Sequence, residues 1–295
     1  MKILITGGSG FIGQRLINHF ISSQFQVTAL IHYSPVQNSN CKVITSLDNI
    51  DINENFDAVI NLAGSSINKR WRKIYKQVLI KSRVDTTKAI VALINRLKKP
   101  PGTFISGSAI GYYGSNTFDY IDENSYFSND FLHQLCTSWE HEAHQIINKV
   151  TKTYIARLGV VIGKESPFIK SLLPAFKVGL GGRLGDGKQF LSWIHIEDVI
   201  NIFDWMREHK LPSGIYNLTT PEKITNAYFS KTLGFLLKKP AKVHIPAWVI
   251  SLLFGEMGKS LLLNGSRVYP KALNNNSYDF LLPDIQSALK EVLNV

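Results

Sequence analysis

The segment Gly7-Gly8-Ser9-Gly10-Phe11-Ile12-Gly13 constrains this chain more than any other. It stands directly after a short apolar run, Lys2 to Thr6, and opens a stretch with apolar residues at 12, 16, 17, 20 and 21. That spacing predicts an amphipathic helix, so the glycines occupy a first strand-to-helix turn. A G-x-G-x-x-G pattern alone is weak, but at this turn its chemistry is specific. Residues without a side chain let the backbone approach a pyrophosphate, and the helix N-terminus directs N–H groups at it. The motif predicts a dinucleotide site.

The same alternation continues along the first half. Apolar runs at Val27 to Ile31, Lys42 to Thr45, Asp57 to Asn61, Thr103 to Ser106 and Thr153 to Arg157 read as strands. Helical patterns at Ile74 to Leu97 and Asp130 to Val150 lie between them. Strands alternating with helices predict an α/β fold, a Rossmann-type doubly wound parallel sheet covered on both faces. From about Pro167 the alternation fades. Five glycines crowd 179–187, predicting a loop with unusual backbone angles. Helices are expected after the cap Thr225, over Ala247 to Glu256 and over Asp284 to Leu293. This division gives an NADP-binding Rossmann domain over 1–165, with later segments around 189–218 returning to it. A mixed, mostly helical substrate-binding region follows over 166–295.

The choice of NADP rests on a missing acid. An NAD site ordinarily ends its second strand with a carboxylate that holds the ribose 2′-hydroxyl. Here no Asp or Glu precedes Asp48, and the second strand ends at Ile31-His32-Tyr33. A 2′-phosphate would meet His32, and Arg15 one turn into the first helix, without repulsion.

Composition excludes several other classes. Two distant cysteines, Cys41 and Cys136, make neither a disulfide framework nor a metal site. The apolar start is too short for a signal peptide, and no run reaches the roughly 18 apolar residues of a membrane span. The chain therefore reads as soluble and cytoplasmic, with no membrane or metal partner expected. The net charge of +11 is concentrated: residues 69–99 hold eleven Lys or Arg against the single acid Asp85. Such a run is either a solvated helix face or a wall of positive potential beside an anionic ligand. Without a recognition motif, nucleic acid is the weakest reading.

Further motifs narrow the family. Asn61-Leu62-Ala63-Gly64 follows the fourth strand and Ser106-Gly107-Ser108 the fifth, and with the glycine turn they resemble the extended short-chain dehydrogenase/reductases. Arg70-Trp71, Lys81-Ser82-Arg83, Ser108 to Gly114, Trp139-Glu140, Gly179 to Gly187, Ser192 to His195 and Gly255-Glu256-Met257 refine the match. Together they resemble the atypical "epimerase family" proteins, which carry a C-terminal domain of unknown function. The resemblance spans about residues 1–293. It implies NADP contacts at Gly7, Gly10, Phe11, Ile12 and Gly13, with His32 near the adenosine ribose. It implies Ala63 and Gly64 as cleft lining, Ser82 on the neighbouring helix, Ser106 and Ser108 on the nicotinamide side, and Arg157 with Leu158 at the end of the sixth strand.

One departure from the superfamily concerns its chemistry. Ordinary members carry Tyr-x-x-x-Lys, a proton-transferring tyrosine whose pKa the lysine lowers. None of the eleven tyrosines here has lysine four residues on. On the corresponding helix, Cys136 and Glu140 have that spacing; a glutamate would raise the thiol pKa from its usual value of about 8.5. Cys136 reads as a buried small residue more than as a proton carrier. Ser108 stands at the superfamily's serine position, where its hydroxyl could polarise a substrate carbonyl or merely cap a loop. Tyr112 and Tyr113 are the candidate general acids, though either is more often a substrate-stacking or core aromatic. His195, with Asp198 three residues on, reads as a helix cap and pair more than as a base.

Three readings therefore compete: an NADP-dependent oxidoreductase or epimerase acting on a polar small molecule, such as a sugar or sugar nucleotide; a catalytically silent NADP-binding sensor; and a nucleic-acid-associated protein. For the first, the substrate cleft is expected at the carboxyl ends of the strands. Its walls would include Ser108, Tyr112, Tyr113, the glycine loop, Gln189, Trp193 and Glu256, with Arg183 and Lys188 meeting anionic groups.

Overall fold

The computed structural model describes residues 1–31, 35–114, 120–125, 129–209 and 211–295. Its strands are β1 Lys2–Thr6, β2 Gln26–Leu30, β3 Lys42–Ile44, β4 Ala58–Asn61, β5 Thr103–Ala109, β6 Lys152–Leu158, β7 Val160–Ile162, β8 Gly182–Leu184, β9 Trp193–His195, β10 Gly214–Leu218 and β11 Val243–Ile245. Its α-helices are α1 Phe11–Ser22, α2 Lys73–Arg96, α3 Phe131–Ala143, α4 Pro167–Lys177, α5 Ile196–Glu208, α6 Asn226–Leu236, α7 Ala247–Gly258, α8 Lys271–Asn275 and α9 Ile285–Leu293.

Seven strands form one parallel sheet in the order β10-β6-β5-β4-β1-β2-β3. Chain order reverses between β1 and β4, and the crevice outside their carboxyl ends is the expected ligand position in a doubly wound sheet. Strands covered on both faces need apolar side chains on both faces. Accordingly Ile3, Leu4 and Ile5 of β1 are all buried, as is the whole of β4. One core layer joins β1, α1 and α5 through Leu16, Ile17, Phe20, Val199, Ile202 and Phe203. The opposite layer packs Ile90, Val91, Leu93 and Ile94 of α2 on Leu4, Val59 and Phe104.

The six strands expected from sequence all lie in this sheet. The seventh, β10, pairs with β6 from Gly214↔Tyr154 to Leu218↔Leu158. Its sequence, Gly-Ile-Tyr-Asn-Leu, gives too short an apolar run to stand out from the helices around it. The helix expected through Val150 ends at Ala143, because Asn148 leaves the helical pattern to accept bonds from the backbone of Val150 and Thr151. Strand β5 runs on to Ala109, so Ser106 and Ser108 are strand residues rather than residues of a following loop.

Gly182–Leu184, inside the expected glycine loop, is itself a strand and pairs in parallel with β11. A Cβ on Gly182 would lie 1.7 Å from the Val243 carbonyl oxygen, so only glycine permits this pairing. The unusual angles fall on either side of the strand, at Gly179, Gly185 and Gly187, all with positive φ. A third core forms around Trp193, Phe176, Phe229 and Leu289 and holds α4, α6 and α9 together.

Candidate active site

The glycine turn is shaped by contacts that no side chain would survive. Gly7 has φ of 71°, and a Cβ there would meet the Leu62 carbonyl oxygen at 2.5 Å. A Cβ on Gly13 would lie 2.3 Å from the Gly7 oxygen. Gly10 differs: it is exposed, and its nearest neighbour to such a carbon is 3.2 Å away. It is the N-cap of α1 and provides no side-chain cap, and the first turn carries no acid. The leading N–H groups of α1 are thus left for an external anion. Phe11 and Ile12 begin the helix and pack on the first core. The donor set, and a Gly10 whose added Cβ would have the Gly7 oxygen as its single neighbour within 4 Å, fit a dinucleotide pyrophosphate.

Asn61 organises the opposite wall, a role not anticipated from sequence. Buried at the end of β4, its Oδ1 accepts from Thr6 Oγ1 (2.7 Å) and from the Ala63 N–H (3.3 Å), while Nδ2 donates to Thr87 Oγ1 (2.7 Å). This one side chain ties β1, the Ala63-Gly64 turn and α2 together. Ser82 Oγ accepts from the Ser65 N–H at 2.9 Å, and Arg83 donates to Ser65 O and Leu79 O. A Cβ on Gly64 would approach Arg83 Cζ to 2.9 Å, which accounts for a glycine here. Burial pulls the Arg83 guanidinium below its ordinary value.

The centre of the site is a buried polar row across three strands. Register pairs Ser108 with Arg157 and Arg157 with Asn217, so their Cα atoms stand side by side on β5, β6 and β10. Glu140 reaches in from α3. Its Oε1 accepts from Ser108 Oγ (2.5 Å) and Arg157 Nε (2.9 Å), and its Oε2 accepts from Arg157 Nη2 (2.7 Å). Arg157 Nη1 donates to the Tyr113 hydroxyl (3.0 Å), which donates to Asn217 Oδ1 (2.8 Å). The Arg157 guanidinium also lies 3.3 Å from the Tyr112 ring centroid. Ser108, Tyr113, Glu140, Arg157 and Asn217 are all buried. Burial would lower the Arg157 pKa, but the bonds and charge of Glu140 outweigh it and hold the guanidinium above its usual range.

This arrangement changes what each residue can contribute. The Ser108 hydroxyl hydrogen is directed at Glu140, which leaves its oxygen as an acceptor. Burial pushes the Tyr113 hydroxyl up to about 12 against the opposing pull of Arg157. A phenol held there keeps its proton at neutral pH. Tyr112 is half-buried, its ring edge-on to His133 and its carbonyl bonded to His133 Nδ1 at 2.6 Å. Burial, and then Glu140, push the Cys136 thiol to about 12, so no thiolate forms on that helix. Ser106 is buried one pleat below Ser108, and Leu158 closes β6 on the register of Ala109.

Other candidates are placed elsewhere. Arg15 forms an ion pair with Glu197 across α1 and α5. His32 lies outside the described residues. His195 caps α5 by accepting from the Glu197 N–H (3.3 Å), and its Nε2 pairs with Glu291 (3.1 Å). Its partner is therefore Glu291 rather than Asp198, which instead accepts from the backbone of Leu281 and Leu282. Arg183 and Lys188 do come together, with Gly185, Asp186, His244, Pro246 and Ala247, around a cleft of about 460 Å³. Gln189 turns away and donates to Leu184 O and Leu262 O. Trp193 is fully buried in the third core. Glu256 is at the surface, paired with Lys76. Among the described residues no group of His, Cys, Asp and Glu is placed to hold a metal ion.

Comparisons with known proteins agree with this architecture. The family described as NAD dependent epimerase/dehydratase matches residues 3–219, and a domain of unknown function (DUF1731) matches residues 245–292. Epimerase family protein MW0731 of Staphylococcus aureus is 32% identical over 99% of both chains. The crystal structure of human epimerase family protein SDR39U1 with NADPH is similar over 100% of both chains, with 30% identity and a TM-score of 0.91. The nucleoside-diphosphate sugar epimerase from Corynebacterium glutamicum is 25% identical, with a TM-score of 0.77, over 99% of this chain and 58% of that one.

Proposed function

The chain belongs to the NAD-dependent epimerase/dehydratase family, and from that premise we propose that it is an NADP-dependent oxidoreductase or epimerase acting on a polar small molecule of the sugar or sugar-nucleotide class. NADP, when bound, supplies the hydride acceptor and donor. Gly7, Gly10, Phe11, Ile12 and Gly13 hold its pyrophosphate, while Ala63, Gly64 and Ser82 form the facing wall. Two likenesses support the reading: NADPH accompanies the human SDR39U1 structure, and the Corynebacterium relative is named a nucleoside-diphosphate sugar epimerase.

The observation that carries the chemistry is the Ser108–Glu140–Arg157 arrangement in place of Tyr-x-x-x-Lys. Ser108 Oγ accepts the proton of a substrate hydroxyl while its own hydrogen passes to the Glu140 carboxylate 2.5 Å away. In the reverse direction Glu140 returns that proton through Ser108 to a substrate oxygen. Arg157 fixes the carboxylate and Tyr113 braces Arg157, and both act as positioning residues. Tyr112 offers its ring to the substrate. Arg183 and Lys188 provide the positive charge for anionic substrate groups.

The test uses purified protein, NADPH and a panel of sugar nucleotides, with products separated chromatographically. Assayed below their unfolding transitions, Ser108→Ala and Glu140→Gln should bind NADPH like the parent and lose at least about a hundredfold in turnover, the scale of general acid–base catalysis. Turnover that survives both substitutions would refute the relay. Tight NADPH binding with no conversion of any candidate would favour a sensor.

A further inference from the structure

Helix α7 has a composition that the catalytic reading leaves unused. From Ile245 to Gly255 it carries no charge, and within the helix only Ile250, Met257 and Gly258 are buried. Trp248 is 68% exposed, Leu252 68%, Leu253 60% and Phe254 40%. Isolated exposed apolar residues are ordinary; four large ones on one short helix are not.

The C-terminal end of this helix adjoins the start of the basic segment. A Cβ on Gly255 would lie 3.6 Å from Arg70 Nε, Lys76 pairs with Glu256 at 2.7 Å, and Met257 packs with Trp71 and Leu79. Lys69, Arg70, Arg72 and Lys73 are all exposed there, followed by Ile74 at 78% exposure. No Asp or Glu occurs from 58 to 84, and none of these four cations has an ion-pair partner among the described residues. At the N-terminal end of α7, Pro246 and Ala247 border the cleft assigned above to anionic substrate groups, lined by Arg183, Lys188 and His244, so the cations available to a surface partner are those of 69–73. The acids nearby are Asp186, turned onto the Lys188 N–H, and Glu256, held by Lys76.

We propose that α7 and the flanking 69–74 segment form a docking surface for an anionic lipid bilayer, with Trp248, Leu252, Leu253 and Phe254 entering the interface and the cations meeting lipid headgroups. Large apolar and aromatic side chains bordered by Lys and Arg are the surface chemistry of a helix lying in such an interface. Charge complementarity selects this occupant over a second copy of the chain. A two-fold contact pairs this patch with its own copy, and the patch offers the 69–73 cations no free acid, since Glu256 is held by Lys76. The attachment is peripheral: no helix among the described residues is long and apolar enough to cross a membrane.

Co-sedimentation of the full chain with vesicles tests this. Vesicles of phosphatidylcholine doped with phosphatidylglycerol should retain the protein; vesicles of phosphatidylcholine alone should not. Removing two cations, Arg70→Gln with Lys73→Gln, should weaken retention roughly 25-fold, about fivefold for each charge near the surface. Trp248→Ser with Leu252→Ser should abolish it while the thermal unfolding transition stays where it was, since both side chains face solvent. Retention by neutral vesicles as strong as by anionic ones, or by neither, overturns the proposal. So does full competition by soluble glycerol phosphate, which would assign the cations to a free anion. Self-association that the Trp248 variant abolishes would assign the face to a second copy.

Discussion

Glu140→Gln tests how far the fold depends on the buried row. The Arg157 side chain is 1% exposed and that of Glu140 7%. An exposed pair of this kind would contribute about 1 kcal/mol or less. Here the substitution leaves the guanidinium buried opposite a neutral amide. Whichever way that amide turns, its NH2 takes one of the two oxygen positions that now accept from Arg157. Losing one partner of a buried pair costs about 3–5 kcal/mol, because the remaining charge stays desolvated. That is a large part of the roughly 5–15 kcal/mol available to a folded domain. In a chain of this size it corresponds to a fall in Tm of roughly 10 °C. Urea unfolding followed by circular dichroism, with differential scanning fluorimetry, gives the magnitude. The double variant Glu140→Met with Arg157→Met should recover most of the loss, since an apolar pair carries no desolvation cost. A Glu140→Gln variant within about 1 kcal/mol of the parent, the ordinary scale of a surface substitution, would refute the claim that this pair is dry and structurally coupled.

Three further outcomes are expected. NADPH should bind several-fold tighter than NADH in an intrinsic-fluorescence titration, and His32→Asp should shift the preference towards NADH by restoring a ribose partner and repelling a 2′-phosphate; equal affinities in the parent would remove the argument from the acid-free stretch. Gly10→Val should abolish dinucleotide binding and leave the circular dichroism spectrum intact, because a Cβ at Gly10 has a single neighbour within 4 Å, the Gly7 oxygen at 3.2 Å. Persistent binding would place the phosphates elsewhere. Burial lowers the His195 pKa against the opposing charge of Glu291, so the unfolded chain takes up this proton more readily than the folded one. Its contribution to stability is therefore complete above the unfolded imidazole value of about 6.5 and lost as pH falls through the folded value. His195→Asn should flatten the decline in stability on the acid side of about pH 6.5; an unchanged slope would show that other groups carry it.

What could be read without coordinates was whatever depends on residues close in sequence. The glycine turn, the continuous apolar runs of β1 and β4, and the spacing of apolar residues in α1 and α2 are local patterns, set by backbone sterics and burial of one face or both. They were enough for the parallel sheet, its first glycine turn and the absence of Tyr-x-x-x-Lys. The rest depended on contacts between distant segments. Nothing in the spacing of Glu140 signals its partners: β6 brings Arg157 and β5 brings Ser108 to its two oxygens, which makes Ser108 a donor committed to a carboxylate. His195 found Glu291 rather than Asp198, and Arg15 found Glu197, because α9 and α5 are packed there by apolar faces that sequence spacing does not order in space. Gly182 reads as one glycine among five in a flexible loop; the 1.7 Å approach of the Val243 carbonyl makes it a strand residue. Local pattern determines which segments form and which face they bury. Partner choice among buried polar groups is decided by strand register and helix packing, since a desolvated charge must be satisfied by whatever the tertiary fold places beside it.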